Sequence, residues 1–234
     1  DVHRISPEAP VPVLFIEKDT FRLGGAANVA LNVRSLGANV DLLGWIGNDG
    51  NGQTLEKLLR DQDIKLSFPP FDGPMQTIVK TRVIARNQQL CRLDRDVAIK
   101  PKLTPRVKEF ILSKLAGVHA VILSDYAKGT LSQPLVDFIE KETEKRGIFL
   151  AIDPKPSRHL RYRRPSLLTP NRSESLQMAK LPYHESDTFY AEKVAKVIYQ
   201  KHRPKTLVIT LGKHGMVVFQ EGKFIKQFET VAKE

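Results

Sequence analysis

Residues 118–155 read VHAVILSDYAKGTLSQPLVDFIEKETEKRGIFLAIDPK, and this stretch decides the fold. An apolar, β-rich run at 119–124 gives way to a helical pattern over 133–145, and a second apolar run follows at 148–152. Strand, helix, strand in that order predicts two parallel strands joined by a crossover helix. The rhythm extends outward to a further apolar run at 206–210. Towards the N-terminus, 26–36 reads as a helix with Val29, Val33 and Leu36 on one face, and Val107, Phe110, Ile111 and Leu115 repeat the pattern in a later helix. These are core stripes, and the fold class they predict is α/β.

Two stretches break the alternation. Residues 11–17 and 76–94 read as strands with no helix between strand runs, which predicts a small separate sheet acting as a lid over the strand ends or as an interface with a second subunit. Residues 68–74, Phe-Pro-Pro-Phe-Asp-Gly-Pro, are a loop or hinge in front of the second stretch.

Ordinary proportions, 41% hydrophobic and 27% charged residues over 234 positions, suit a globular chain with one sizeable core. Cys91 is the only cysteine, so no disulfide can form within the chain, and a reducing, cytoplasmic setting is expected. No apolar run approaches the roughly 20 residues that cross a bilayer, and residues 1–4 lack the pattern of a signal peptide. A net charge of +11 invites a nucleic-acid reading. The basic residues are scattered, with one dense cluster at 158–164, and no helix-turn-helix, zinc-ligand or aromatic RNA-binding pattern accompanies them. No nucleic-acid or membrane partner is therefore expected, and the excess is read as solvated surface or as suited to anionic ligands.

In open α/β sheets ligands bind beyond the carboxyl ends of the strands. Four apolar runs end in polar residues here: at Asp125-Tyr-Ala-Lys128-Gly129, at Asp153-Pro-Lys155, at Thr169-Pro-Asn171-Arg-Ser-Glu174, and at Thr210-Leu-Gly212-Lys-His-Gly215. Together they point to a common crevice. Asn171 and Glu174, three apart, share one side of a starting helix, where they would order water around a magnesium ion near phosphates or simply cap the helix. Gly212 and Gly215 would let a nucleotide approach the backbone, or serve a turn between strands. Gly24-Gly25 precedes the first helix and Asn28 lies one turn in, a place for an oxygen-rich ligand or a plain tight entry. Lys80, Arg82 and Arg86 follow a period of two on a strand, and Arg92 returns alongside, giving either a phosphate site or an exposed basic face. The six histidines lack metal-ligand spacing, and neither a G-x-S-x-G elbow, a Walker P-loop nor a G-x-G-x-x-G fingerprint occurs.

Gly24-Gly25-Ala26-Ala27-Asn28-Val29-Ala30, followed by Gly37 and Gly47, resembles the first signature of the PfkB, or ribokinase-like, carbohydrate kinases. Residues 4–10, 86–94, 124–129 and 153–155 are similar to the branch that phosphorylates D-glycero-D-manno-heptose 7-phosphate. The resemblance implies a three-layer α/β/α body with a β lid, from about 4–17 and 75–94, that often dimerises, and phosphoryl transfer from ATP with Mg2+ to O1 of the heptose 7-phosphate. It implies sugar contacts from Gly24, Gly25 and Asn28 and 7-phosphate contacts from Lys80, Arg82, Arg86 and Arg92. Asp125 and Lys128 would lie near the reacting groups. Lys155, Asn171, Glu174, Thr210 and Gly212 would serve the nucleotide, with Glu174 reaching the metal through water. The family's Gly-Ala-Gly-Asp, which carries the catalytic base, does not occur in the chain, so an incomplete and inactive portion of a kinase is expected, its first strand also missing. A kinase of another sugar or a nucleoside, and a non-catalytic sugar-phosphate or nucleotide binder, remain the alternatives.

Overall fold

A computed structural model describes residues 2–5, 12–69, 73–85, 88–96, 100–158, 160–182 and 189–230. The chain divides into two compact units, one of residues 1–68 and 72–98 and the other of 69–71 and 99–234.

The first unit begins with β1 (Val2–Ile5) antiparallel to β2 (Pro12–Leu14). The strand expected over 11–17 is thus shorter among the described residues, with Phe15 and Ile16 exposed beyond it. Helix α1 (Ala26–Ser35) starts at Gly25, which caps it with φ of 54°. Its buried residues are Ala27 and Ala30, packed with Leu23 and Leu31. This corrects the expected stripe: Val29 and Val33 are only half-buried, and Leu36 is 88% exposed. Leu36 follows the last helical residue as the C-cap, where the chain leaves the helical path and the 3.6-residue period no longer governs its direction. A βαβ unit of β3 (Asp41–Leu43), α2 (Gly50–Arg60) and β4 (Lys65–Ser67) follows, in register from Asp41 opposite Lys65 to Leu43 opposite Ser67. It is additional to the expected elements, because three-residue strands carry almost no periodicity. Leu59 and Ile64 complete the small core with Ala27 and Ala30. Last in this unit are β5 (Val79–Ala85) and β6 (Gln88–Arg95), an antiparallel ladder.

In the second unit, α3 (Pro105–Lys114) is started by Thr104, whose hydroxyl accepts from the N–H of Val107, and by Pro105 in the first turn. Val107, Ile111 and Leu115 are buried as the period predicts. Then come β7 (Ala120–Ser124), α4 (Gln133–Arg146), β8 (Phe149–Asp153), β9 (Leu167–Leu168), α5 (Arg172–Ala179), α6 (Ala191–His202), β10 (Thr206–Thr210), β11 (Met216–Gln220) and β12 (Lys223–Phe228). They build one six-stranded sheet in the order β12-β11-β10-β9-β8-β7. From β7 to β10 the strands are parallel, and β11 and β12 extend the edge antiparallel. Ile152, Leu168, Leu207 and Ile209 on the sheet and Val136, Val194 and Ile198 on the helices are essentially inaccessible, a single apolar core. The α/β class expected from the sequence is the one the structure has. Among the described residues no helix is long and apolar enough to cross a membrane.

Candidate active site

The four polar strand ends are brought together in the second unit. Beyond the regular ladders the backbones stay tied: Asp125 N donates to Asp153 O at 3.0 Å, Thr169 N to Ile152 O at 3.0 Å, and Thr210 N to Pro170 O at 3.1 Å. Asn171 forms a parallel bridge with Thr210. The carboxyl ends of β7, β8, β9 and β10 therefore form one continuous edge, where an α/β sheet places its ligands.

On that edge Glu174 stands at the centre. It is 9% exposed, and its two oxygens have separate partners. Oε1 accepts from Lys155 Nζ at 2.9 Å, and Oε2 from the backbone N–H of Asn171 at 3.0 Å. Asn171 Oδ1 accepts in turn from Glu174 N at 2.9 Å, a complete capping box with Asn171 as N-cap of α5. The cap reading is thus realised in full, and the same carboxylate still reaches across to β8. The two roles are compatible, since the second oxygen is not consumed by the cap.

Asp153, absent from the site residues read from the sequence, belongs to this edge. Burial pushes its carboxyl up, the nearby Glu174 and Asp125 push it further the same way, and Lys155 opposes them. Its position before Pro154-Lys155 was the available signal. Asp125 is 5% exposed, and its Oδ1 accepts from Ala127 N at 2.8 Å, fixing a turn in which Ala127 has φ of 56°. Lys128, half-buried, lies just past that turn. Gly212 opens the short 3-10 turn between β10 and β11 with φ of 60°, and a Cβ there would meet nothing within 4 Å. Gly215 differs, because a Cβ would collide with the carbonyl of Phe228 on β12; its glycine is required by the sheet. Among the described residues no three acidic, histidine or cysteine side chains are grouped as a metal cage.

In the first unit, Gly24 and Gly25 form the entry to α1, with Ala27 N donating to Gly24 O at 3.1 Å, and Asn28 is exposed one turn in. On the β5–β6 ladder, Lys80 lies opposite Asp94 and Arg82 opposite Arg92, so these four share one face. Asp94 accepts from Lys80 Nζ at 3.1 Å and from Arg92 Nε and Nη2 at 2.9 and 3.1 Å. Both partners hold its carboxyl below the usual range. Arg86 lies outside the described residues. The basic face is therefore partly neutralised from within, which the sequence reading did not foresee, and three described cations remain against one carboxylate. The other face carries Thr81, Val83, Cys91 and Leu93, with Leu93 61% exposed.

At the root of the ladder, Asp49 caps α2 through Gly52 N at 2.8 Å and also accepts from Thr77 N at 2.9 Å, while Thr77 Oγ1 accepts from Gly47 N at 3.0 Å. These bonds hold the Asp49 carboxyl below its usual range. They join Gly47, α2 and the approach to β5 into one rigid joint.

The geometry defines an α/β chain with a polar edge at its parallel strands and, in its other unit, a basic β ladder. Residues 2–234 match the pfkB family carbohydrate kinase, and the chain belongs to that family. It is 38% identical over 235 residues to the bifunctional protein HldE of Sulfurimonas denitrificans, covering 99% of this chain and 48% of that protein. It is 40% identical over 219 residues to the bifunctional protein HldE of Coxiella burnetii, covering 93% and 45%. The chain thus spans about half the length of these relatives. Among solved structures, the tetrameric inhibited form of phosphofructokinase-2 from Escherichia coli aligns with a TM-score of 0.70 at 18% identity, over 96% of this chain and 73% of that one. The same enzyme in complex with fructose-6-phosphate aligns at 0.67 and 19%, over 99% and 76%. These likenesses establish the shared fold.

Proposed function

We propose that the protein transfers the γ-phosphoryl group of ATP to O1 of D-glycero-D-manno-heptose 7-phosphate, giving the 1,7-bisphosphate on the route to ADP-heptose and the lipopolysaccharide core. The observation that carries the reading is the Lys155–Glu174–Asn171 arrangement on the carboxyl edge of four parallel strands, within a chain of the carbohydrate kinase family. Phosphoryl transfer asks a protein mainly for positioning and for positive charge where negative charge gathers. Lys155 supplies a cation that Glu174 orients. Magnesium, when bound with ATP, would neutralise phosphate charge. Glu174 would hold it through water, and Gly212 and Thr210 would border the nucleotide.

The resemblance of residues 4–10, 86–94, 124–129 and 153–155 to the heptose 7-phosphate kinases favours a sugar that already bears phosphate. On the ladder Lys80, Arg82 and Arg92 exceed Asp94 in charge, which suits a phosphate dianion, and Gly24, Gly25 and Asn28 would meet the sugar hydroxyls. The 234 residues contain no Gly-Ala-Gly-Asp, so by themselves they are read as inactive, and none of them is assigned as the base that takes the O1 proton. An isolated two-stranded ladder with an exposed apolar face is marginal in water, which favours a homodimer formed through it. A cytoplasmic location follows from the nucleotide and sugar-phosphate substrates.

Phosphorus NMR of the complete protein with ATP and the heptose 7-phosphate should show the 1,7-bisphosphate, and Arg82→Gln should raise KM for the phosphorylated sugar more than for ATP. Turnover of an unphosphorylated sugar or a nucleoside, with the heptose phosphate untouched, would remove the substrate assignment and leave the family.

A further inference from the structure

Arg163 and Arg164, from the dense basic cluster noted in the sequence, play no part in the edge described above; they lead into β9 at the other end of the same sheet. Lys205 N donates to Pro165 O at 2.9 Å and Thr206 N to Ser166 O at 3.0 Å, so the segments entering β9 and β10 run side by side at the amino ends of the strands. A cavity of about 370 Å³ opens there, lined by Arg163, Arg164, Gln200, Lys201 and Arg203. Its size falls within the roughly 300–1,000 Å³ of small-molecule sites.

The loop that carries the arginines is held from beneath by side chains. Gln133 of α4 both accepts from Arg161 N and donates to Arg161 O, each at 2.8 Å. Glu140, 9% exposed on the same helix, accepts from Arg163 N at 2.8 Å. Tyr162 is 3% exposed, its ring tilted at 42° against the buried ring of His202 with centroids 5.7 Å apart, and His202 Nδ1 is 3.3 Å from Tyr162 N. Burial pushes the Glu140 carboxyl up and the His202 imidazole down, so both groups carry a solvation cost in order to fix this loop. With its backbone engaged inward, the loop presents Arg163 and Arg164 outward.

The charges it presents are largely uncompensated. Arg163 Nε is 3.8 Å from Asp137 Oδ1, and Lys201 Nζ donates to the carbonyl of Met178 at 3.1 Å. Among the described residues Arg164 and Arg203 have no carboxylate within 4.0 Å. Like charges gathered around one cavity on a loop so fixed repel unless an anion joins them.

We infer that this amino-end cavity binds a small ligand carrying two or more phosphate groups, at a site separate from the carboxyl edge. An open hollow of this size ringed by four cations suits a compact polyphosphate better than the long, extended track that a nucleic-acid backbone needs. Strand β10, of five residues, puts roughly 15 Å between the two ends.

The test is calorimetric titration of the complete protein with inorganic triphosphate at fixed ionic strength, for the native chain, for Arg164→Gln with Arg203→Gln, and for Lys155→Ala. Both arginines are exposed, and an unchanged unfolding midpoint confirms the double variant's fold. The site predicts saturable binding that the double variant weakens about tenfold or more, a change of about 1.4 kcal/mol, and that Lys155→Ala leaves in place. Binding lost with Lys155→Ala and kept by the double variant would place the anion at the carboxyl edge and overturn the inference. So would the absence of saturable binding, or tight binding of duplex DNA that triphosphate does not displace. Should the double variant unfold, Lys201→Gln provides the same comparison.

Discussion

Glu174 and Lys155 are joined at 2.9 Å across the ends of two neighbouring strands, while the same glutamate closes the capping box of α5 with its other oxygen. One carboxylate thus fixes both the start of a helix and the direction of a cation. The two roles separate by substitution. Glu174→Gln retains an acceptor for the Asn171 N–H, whereas Glu174→Ala retains none, so the alanine variant should lose about 1 kcal/mol in urea unfolding and the glutamine variant clearly less. Both free Lys155, and phosphoryl transfer by the complete protein should fall roughly 10²-fold in each. A glutamine variant with native turnover would leave Glu174 as a cap alone.

Asp153 should respond to pH in the opposite sense to a salt-bridged acid. Its carboxyl is raised in the folded chain by burial and by Glu174 and Asp125. A raised acid contributes its full share of stability below the unfolded value, ordinarily about 3.9, and loses it as pH climbs through the folded one. Asp153→Asn should therefore be more stable than the native chain at pH 7, with the difference closing towards pH 4. Urea midpoints at the two values test this, and a gap that widens on acidification would contradict it.

The parallel body was legible because β7, α4 and β8 are long enough to show their periods, and because apolar strands ending in polar residues mark a sheet's ligand edge. Asn171, Glu174, Lys155, Thr210 and Gly212 were read in this way, and the structure sets them along one edge. The βαβ unit around α2 was not legible, since three-residue strands hide in any local pattern. Nor was the face of α1, where small alanines, not the larger valines, turn inward. Asp94 was hidden for another reason. Its place between Lys80 and Arg92 depends on strand register, and the ladder slips by one residue at Leu90. A bulge of that kind exchanges the faces beyond it, so period-two reasoning cannot be extended past it.

Gly50 and Gly52 stand two residues apart in α2 and should answer to alanine with opposite signs. By helix propensity alone each change is favourable by up to about 1 kcal/mol. A Cβ at Gly50 meets nothing within 4 Å, but at Gly52 it collides with the carbonyl of Gly47, in the joint built on Asp49 and Thr77. Backbone cannot yield there without breaking those bonds. Gly50→Ala should be neutral or mildly stabilising, and Gly52→Ala should cost about 1–3 kcal/mol. Equal thermal midpoints for the two variants would show that the joint is loose.

His202 makes the second unit acid-sensitive in a window distinct from that of the carboxylates. Its imidazole is 7% exposed against Tyr162, and burial, aided by Lys201, lowers its proton affinity below the ordinary value of 6.5. Above that value the ring is neutral in both folded and unfolded chains. As pH falls through about 6.5 the unfolded chain takes up the proton first, so stability drops until the folded ring also titrates. Glu140, raised by burial, acts with the opposite sign and from the carboxylate range upward. The native urea midpoint should therefore fall between pH 7.5 and 5.5, and His202→Gln, which can still meet the Tyr162 backbone but cannot titrate, should flatten that fall. A variant that tracks the native curve through the whole interval would move the acid sensitivity to another group and leave the Tyr162–His202 contact as packing only.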